Sequence, residues 1–441
     1  MEEIDETNWK YAYIFFQCVT VASRPLCVDE LAQFLSFDFE AESIPTYLAD
    51  WRPEDPARTV LSMCSSLLAV VDTINGRYVQ FAHFSVQEYL MSMRLAKAKD
   101  TISRFHVSAI PAHTIVAQTC LGLLLHLDET VTKDSLENFP LAFYAAQYWV
   151  AHALIEDVPS KVQDGMNRLF DPCKCHFSVW IWIYDPECDG YYGYLPERSE
   201  SPGKARATPL HYAAFCGLRD VAKFLIVEHS QDVNARSFDR KDTPLHVASR
   251  RGHADIAKLL LEHGADGNAE DIHNGTPLHV SSACGHMEVA RILLEHGADA
   301  ETRDNLNINP LIYAITRKHV EIARLLLKHG ADTNTKDING GQTSLHFASF
   351  IGHVGCARVL LEHGADSNSR DRHHETPLHV ATRDIYNLEE RLDVIRLLVQ
   401  YGSDIHARDN KDQTPFMTAT EYKNDDIMQL LLELGAEDHR K

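Results

Sequence analysis

A four-residue phrase that returns on a fixed beat constrains this chain more than any other feature. Thr208-Pro-Leu-His211, Thr243-Pro-Leu-His246 and Thr276-Pro-Leu-His279 are followed by Asn309-Pro-Leu-Ile312, Thr343-Ser-Leu-His346, Thr376-Pro-Leu-His379 and Thr414-Pro-Phe-Met417. The steps are 35, 33, 33, 34, 33 and 38 residues. A second phrase keeps the same period: Leu260-Leu-Glu-His-Gly-Ala-Asp266, Leu293 to Asp299, Leu326 to Asp332 and Leu360 to Asp366, with weaker copies ending at Asp404 and Glu437. Such periodicity means one small unit stacked on its own copies.

The phrases state what that unit is. Thr caps a helix N-terminus and Pro suits its first turn. Gly252, Gly285 and Gly352, each followed by His, are expected to close the first helix. Segments such as Ala254 to Glu262 carry apolar residues at helical spacing and predict a second helix. Gly264, Gly297, Gly330, Gly364, Gly402 and Gly435 supply left-handed C-caps. Polar turn-formers fill the intervals, as in Asn268 to Gly275. Helix–turn–helix plus polar hairpin at 33 residues is the pattern of the ankyrin repeat. The resemblance covers about 208–441, seven repeats: about 208–240, 243–273, 276–306, 309–340, 343–373, 376–411 and 414–441. The departures are specific. Repeat 1 lacks the closing Gly, repeat 4 has Lys318 where Gly is usual, and repeat 6 carries an excess around Asp384 to Arg391.

His211, His246, His279, His346 and His379 share one repeat position. Neighbouring copies lie about 8–10 Å apart, the packing distance of helices. A metal ion needs each ligand at about 2 Å. The expectation is therefore a hydrogen bond from repeat to repeat.

Residues 1–206 lack the repeat. A helix is expected over Val28 to Phe37 and another over Arg58 to Val70. Two apolar runs around Asn75-Gly76 predict a β-hairpin. Helices are expected at 109–127 and 139–156. The fold class is therefore mainly α: a winged-helix-like domain over 1–100, a helical linker and aromatic cap over 101–206, and the solenoid over 207–441. Ser23-Arg-Pro-Leu-Cys-Val-Asp-Glu-Leu31, Met63-Cys-Ser-Ser-Leu67, Phe81-Ala-His-Phe-Ser-Val-Gln-Glu-Tyr-Leu90, Cys120-Leu121 and Tyr144-Ala-Ala-Gln-Tyr-Trp-Val-Ala-His152 together resemble the fungal NACHT–ankyrin proteins. In that STAND-type family a winged helix of the GPI inositol-deacylase type follows a nucleotide-binding module, and a helical linker leads to repeats. The resemblance implies a sensor or regulatory role in fungal nonself recognition, with the NTPase lying before residue 1. The Gly-x4-Gly-Lys-Ser/Thr phosphate loop does not occur in this sequence.

Charge narrows the partners. The net charge is −21, with 16 basic against 28 acidic residues in 1–206 and 26 against 35 in 207–441. Neither part offers the basic stripe that nucleic acid or anionic membrane requires. Arg58 is the single cation on the expected recognition helix. Ten scattered cysteines and an acidic start read as a soluble protein of a reducing compartment, cytoplasmic or nuclear. The runs Tyr11 to Ala22 and Cys120 to Leu127 are short for a membrane span.

Catalytic and metal-binding patterns fare poorly. Cys173-Lys-Cys175-His176, with Cys188, lacks the ligand spacing of a zinc site. The aromatics around it (Phe177, Trp180, Trp182, Tyr184, Tyr191, Tyr192 and Tyr194) suggest an apolar plug over the first repeat. His83, Ser85 and Glu88 lie within six residues, a helix start with Ser85 able to cap rather than a triad. The expectation is a non-enzymatic chain without cofactor or metal, monomeric by itself, that binds another protein. Its candidate binding stripe is Tyr212, Phe215, Arg250, Tyr313, Arg317, Phe347, Phe350 and Arg383, on the concave first-helix face. Its candidate hairpin tips are Arg240, His273, Asn274, Asn305, Asn339, His373, His374 and Lys411.

Overall fold

The computed structural model describes residues 9–39, 44–48, 54–64, 67–74, 76–98, 101–187, 200–203, 205–383 and 388–438. They form two compact units, one of residues 1–209 with 223–230, the other of 210–222 with 231–441. The fold is mainly helical, with an N-terminal winged helix and an ankyrin-repeat solenoid.

In the first unit, helices Trp9–Val21, Val28–Gln33 and Pro56–Cys64 precede the antiparallel strands Leu68–Thr73 and Gly76–Phe81. Their register runs from Leu68↔Phe81 to Thr73↔Gly76, and a single Cys27↔Tyr78 bridge ties the start of the second helix to this hairpin. The helix expected over Val28 to Phe37 stops at Gln33. A 3-10 turn follows, then Phe37–Asp38, which pairs with Thr46–Tyr47. The helix expected over Arg58 to Val70 ends at Cys64. β-branched Val70 and Val71 instead pair with Val79 and Tyr78. A continuous apolar run conceals that change of period. Asn75 lies outside the described residues.

Beyond the wing, Ala109–His126 is the central helix of the first unit. It is long and apolar enough to cross a membrane, contrary to the short spans read from sequence. Its Ala112, Val116, Cys120, Leu121, Leu123 and Leu124 are buried, and it packs against Ala142–Ala153 and Pro159–Phe170. Phe177 and Trp180, on helix His176–Ile183, close this same core. Trp180 sits 5.4 Å from both Trp149 and Phe170, centroid to centroid, and its indole donates to Ala146 O at 2.9 Å. The expected aromatic plug thus begins as core of the first unit. Tyr191, Tyr192 and Tyr194 lie outside the described residues.

The repeats are helix pairs: Pro209–Cys216 with Arg219–Val227, Pro244–Arg251 with Ala254–Glu262, Pro277–Cys284 with Met287–Glu295, Pro310–Thr316 with Val320–Lys328, Ser344–Ile351 with Val354–Glu362, Pro377–Ala381 with Leu388–Gln400, and Pro415–Glu421 with Asp425–Glu433. Gly252 and Gly285 end first helices at φ +78° and +83°. A Cβ at Gly252 would lie 2.5 Å from the ring of His286, and one at Gly285 2.6 Å from that of His319. Glycine is therefore required twice over, by φ and by the imidazole stacked on it. Lys318 adopts φ +64° without that freedom. In repeat 6 the second helix lengthens to 13 residues. Arg391 from this excess is buried and donates to Phe350 O at 2.6 Å and Ala381 O at 3.3 Å. It takes over the position held by His286 on Gly252, since a Cβ at Gly352 would meet Arg391 Cγ at 3.0 Å.

Candidate partner-binding face

The shared histidines build the scaffold of this face. At His246, His279, His346 and His379, Nδ1 accepts the backbone N–H of the capping Thr three residues earlier, at 3.0–3.2 Å. The proton therefore resides on Nε2. That nitrogen donates to a carbonyl of the next hairpin: His246 to Gly275, His279 to Ile308, His346 to Glu375 and His379 to Gln413, at 3.0–3.1 Å. His211 reaches Asp242 O in the same way, at 2.9 Å. Burial holds all five below the usual histidine range, His346 at about 4. Repeat 4 breaks the ladder with Ile312, and there Asn309 Oδ1 caps the helix instead.

The hairpins are joined by backbone bonds, Ile272 N to Arg240 O at 2.9 Å, Asn305 N to His273 O at 3.0 Å and Ile338 N to Leu306 O at 2.9 Å. From repeat 2 to repeat 6 each turn is held by an Asp whose carboxylate accepts its backbone N–H groups, whereas the first hairpin has Ser237 at that position. Asp271 Oδ1 accepts from His273 N and Gly275 N, Asp304 Oδ1 from Leu306 N and Ile308 N, and Asp371 Oδ1 from His373 N and Glu375 N.

Of the candidate stripe, Tyr212 is wrong as a solvent-facing residue: it is fully buried. Its register position points inward, since Val247 and Val380 are buried there too. Larger side chains protrude from the same position at Tyr313 and Phe347, both half-buried. Tyr313 donates its hydroxyl to Asp304 Oδ2 at 2.8 Å, and its ring meets His279 edge-on at 5.8 Å. Phe350 is 56% exposed. Phe215 lies under the Arg251 guanidinium, 3.8 Å away. Arg317 is exposed. Arg250 and Arg383 are committed to ion pairs with Asp242, at 2.9 Å, and with Glu375. Gln413 and Glu421 form the same clamp in repeat 7, at 3.1 Å. Clamps therefore occupy repeats 2, 6 and 7, whereas the corresponding pairs in repeats 3–5 (Gly275/Ala283, Ile308/Thr316 and Gln342/Phe350) hold no charged residue. Arg240, His273, Asn274, Asn305, Asn339, His373, His374 and Lys411 are all exposed at the hairpins. Asn274 and His374 hold the left-handed turn position, at φ +60° and +58°.

Sequence reasoning missed exposed apolar side chains on the hairpins. Phe238, Ile272, Leu306 and Ile338 are 86%, 50%, 40% and 49% exposed. The signal was present as apolar residues inside segments read as polar turns. It also missed a polar network in the first unit. His113 Nδ1 and His152 Nδ1 lie 2.8 Å apart, His152 Nε2 is 2.9 Å from Tyr144 Oη, and that hydroxyl accepts Ser23 N–H at 3.1 Å. Burial holds His152 at about 4.

The remaining clusters rearrange. His83 itself caps the helix Phe84–Leu90, its Nδ1 accepting from Ser85 N, so Ser85 is not the cap. His176 Nδ1 turns to Leu127 O at 3.1 Å, and Cys188 lies outside the described residues. Asp171, Cys173 and His229 instead bring ligand atoms within 4.8 Å of one another, and Asp171 Oδ1 accepts Cys173 N–H at 2.9 Å.

A family model for ankyrin repeats matches in overlapping segments from 194 to 441. One for the winged helix domain of GPI inositol-deacylase matches 6–103. Azaphilone pigments biosynthesis cluster protein L of Monascus ruber is 32% identical over 232 residues, 49% of this chain and 47% of that protein. The chain thus spans about half the length of this curated relative. Among solved structures, the ankyrin repeat domain of Bcl-3, a member of the IkappaB family, aligns at 27% identity and TM-score 0.46, covering 52% of this chain and 100% of that one. The ankyrin repeat domain of human ASB11 aligns at 30% identity and TM-score 0.46, covering 52% and 99%.

Proposed function

The chain belongs to the ankyrin-repeat family, and from that premise we propose that it is a non-catalytic module, monomeric and cytoplasmic, that binds another protein on the face shared by its first helices and hairpins. Ankyrin repeats in general mediate protein–protein contacts. The observation that carries the reading is the change along the stripe. Polar clamps close it in repeats 2, 6 and 7, and repeats 3–5 leave Phe350 exposed beside half-buried Tyr313 and Phe347. Aromatic residues at an otherwise polar surface are the types that dominate binding energy. The test is a pulldown with Tyr313→Ala, Phe347→Ala and Phe350→Ala combined. Loss of partner recovery with retained folding is expected, and unchanged recovery rejects the face.

A second reading takes the chain as the regulatory part of a nucleotide-switched NACHT protein. It is favoured by the order of a winged helix matched over 6–103 and repeats matched from 194 onward. Genomic DNA upstream of Met1 tests it: an in-frame phosphate-loop exon supports the reading, and an in-frame stop contradicts it.

A further inference from the structure

We infer that Asp171, Cys173 and His229 form a binding site for one zinc ion. Asp171 and Cys173 lie on the turn after helix Pro159–Phe170, and His229 lies just past helix Arg219–Val227. All three belong to the first unit, which includes 223–230. Their ligand atoms lie within 4.8 Å of one another.

The turn is built locally. Phe170 is fully buried and anchors its start. Pro172 takes the second position of a tight turn, which closes where Lys174 N–H donates to Asp171 O at 3.0 Å. Asp171 Oδ1 accepts Cys173 N–H at 2.9 Å, so the carboxylate and the thiol are set by one turn. His229 approaches from another segment, its ring edge-on to Phe224 at 4.7 Å. At the ends of later second helices, His263, His296 and His363 turn Nδ1 to a carbonyl of their own helix at 2.8 Å. His229 instead has Nε2 at 3.9 Å from Asp171 Oδ1. That is too long for a hydrogen bond. It is close to the separation of two ligands on one ion. Zinc holds N, O or S at about 2.0–2.3 Å in a tetrahedron, so its ligand atoms lie about 3.3–3.8 Å apart. Closing the triangle takes movements of about 1 Å at the side-chain tips.

The donor set selects the metal. A thiolate, an imidazole and a carboxylate are zinc ligands. Calcium and magnesium prefer oxygen donors throughout, which Cys173 and His229 do not offer. The Asp171 and His229 side chains are 23% and 21% exposed, and Cys173 is exposed, so water reaches the fourth position. The adjacent Cys-x-Cys-His run does not supply the set, since His176 Nδ1 is turned to Leu127 O at 3.1 Å. The ion ties two segments that are distant in sequence, and binding to the folded state alone stabilises it.

The test uses the full chain, reduced and stripped with a chelator. Competition with a chromophoric chelator should show one zinc per chain with Kd below about 1 µM, undisturbed by calcium or magnesium. Cobalt in place of zinc should give the charge-transfer absorption of a thiolate ligand and the intense visible bands of a tetrahedral site. Cys173→Ser, His229→Gln and Asp171→Asn should each weaken binding at least about tenfold, and Cys173→Ser should also abolish the charge-transfer absorption. Cys175→Ser and His176→Gln should bind as the unaltered chain does. Circular dichroism checks that every variant folds. Zinc should raise the thermal midpoint of the unaltered chain and leave that of His229→Gln unmoved. Lack of zinc binding at about 10 µM overturns the inference, as does undiminished binding by the three ligand variants. Loss of binding in Cys175→Ser or His176→Gln overturns it too, by assigning the metal to the other cluster, and so does an octahedral cobalt spectrum without thiolate absorption.

Discussion

The two units solve one problem, the burial of histidine, in different ways. In five of the seven repeats one imidazole does the same local job. Nε2 donates to the next hairpin at 2.9–3.1 Å from His211, His246, His279, His346 and His379, and Nδ1 of the last four closes a Thr cap. In the first unit, His152 is the hub of a single network that gathers Ser23, His113 and Tyr144 from distant parts of the sequence. A ladder distributes its cost over many equivalent bonds. A hub concentrates it. The difference teaches how pH and mutation should act on each unit.

The largest expected effect is acid destabilisation of the repeats. A histidine whose folded pKa lies below the unfolded value near 6.5 stabilises the fold above that value. The contribution is lost as pH falls through the folded pKa, about 4 at His346. Seven depressed histidines in the repeats, the five above with His253 and His353, face three, His113, His126 and His152, in the first unit. Urea unfolding followed between pH 7 and pH 4 should show the repeats losing more stability than the first unit, with uptake of several protons. Equal losses would break the comparison.

Substitution sharpens it next. His152→Ala should cost about 3 kcal/mol or more, because it removes a buried imidazole together with the partner it gives the buried Tyr144 hydroxyl. His246→Ala should cost about 1–3 kcal/mol, one rung of the ladder. Thermal unfolding of the two variants compares hub and rung directly. The closing positions give a pair of opposite sign. Gly252→Ala drives a Cβ into the His286 ring at φ +78°, and about 2 kcal/mol of destabilisation is expected. Lys318→Gly removes a side chain from φ +64° and should stabilise by up to about 1 kcal/mol. The smallest effect is at Phe350. More than half of it is exposed, so Phe350→Ala should shift stability by under about 1 kcal/mol and be felt in partner binding.

What the sequence revealed follows the same division. The period exposed the helix pairs, their Thr caps and their Gly stops, because each signal is local and repeated. It also marked Lys318 and the repeat 6 excess as departures, though not that Arg391 would replace an imidazole on Gly352. It misplaced Tyr212, since an aromatic at a first-helix position gives no sign of which side it faces. In the first unit the wing hairpin was legible from its turn. The end of the helix before it was hidden by the run Leu67 to Val71. The network at His152 left no trace, as nothing in the spacing of Ser23, His113, Tyr144 and His152 says that they meet. The apolar hairpin residues were hidden by their neighbours, which read as polar turn.

The central claim is that a partner protein docks on the first helices and hairpins of repeats 3–5. Hydrogen exchange of the full chain, alone and with a partner recovered by pulldown, measures it most directly. Added protection over 304–317 and 337–351, with the second helices 320–328 and 354–362 unchanged, is the expected result. Protection confined to the second helices, or to residues 9–98 of the winged helix, would contradict it.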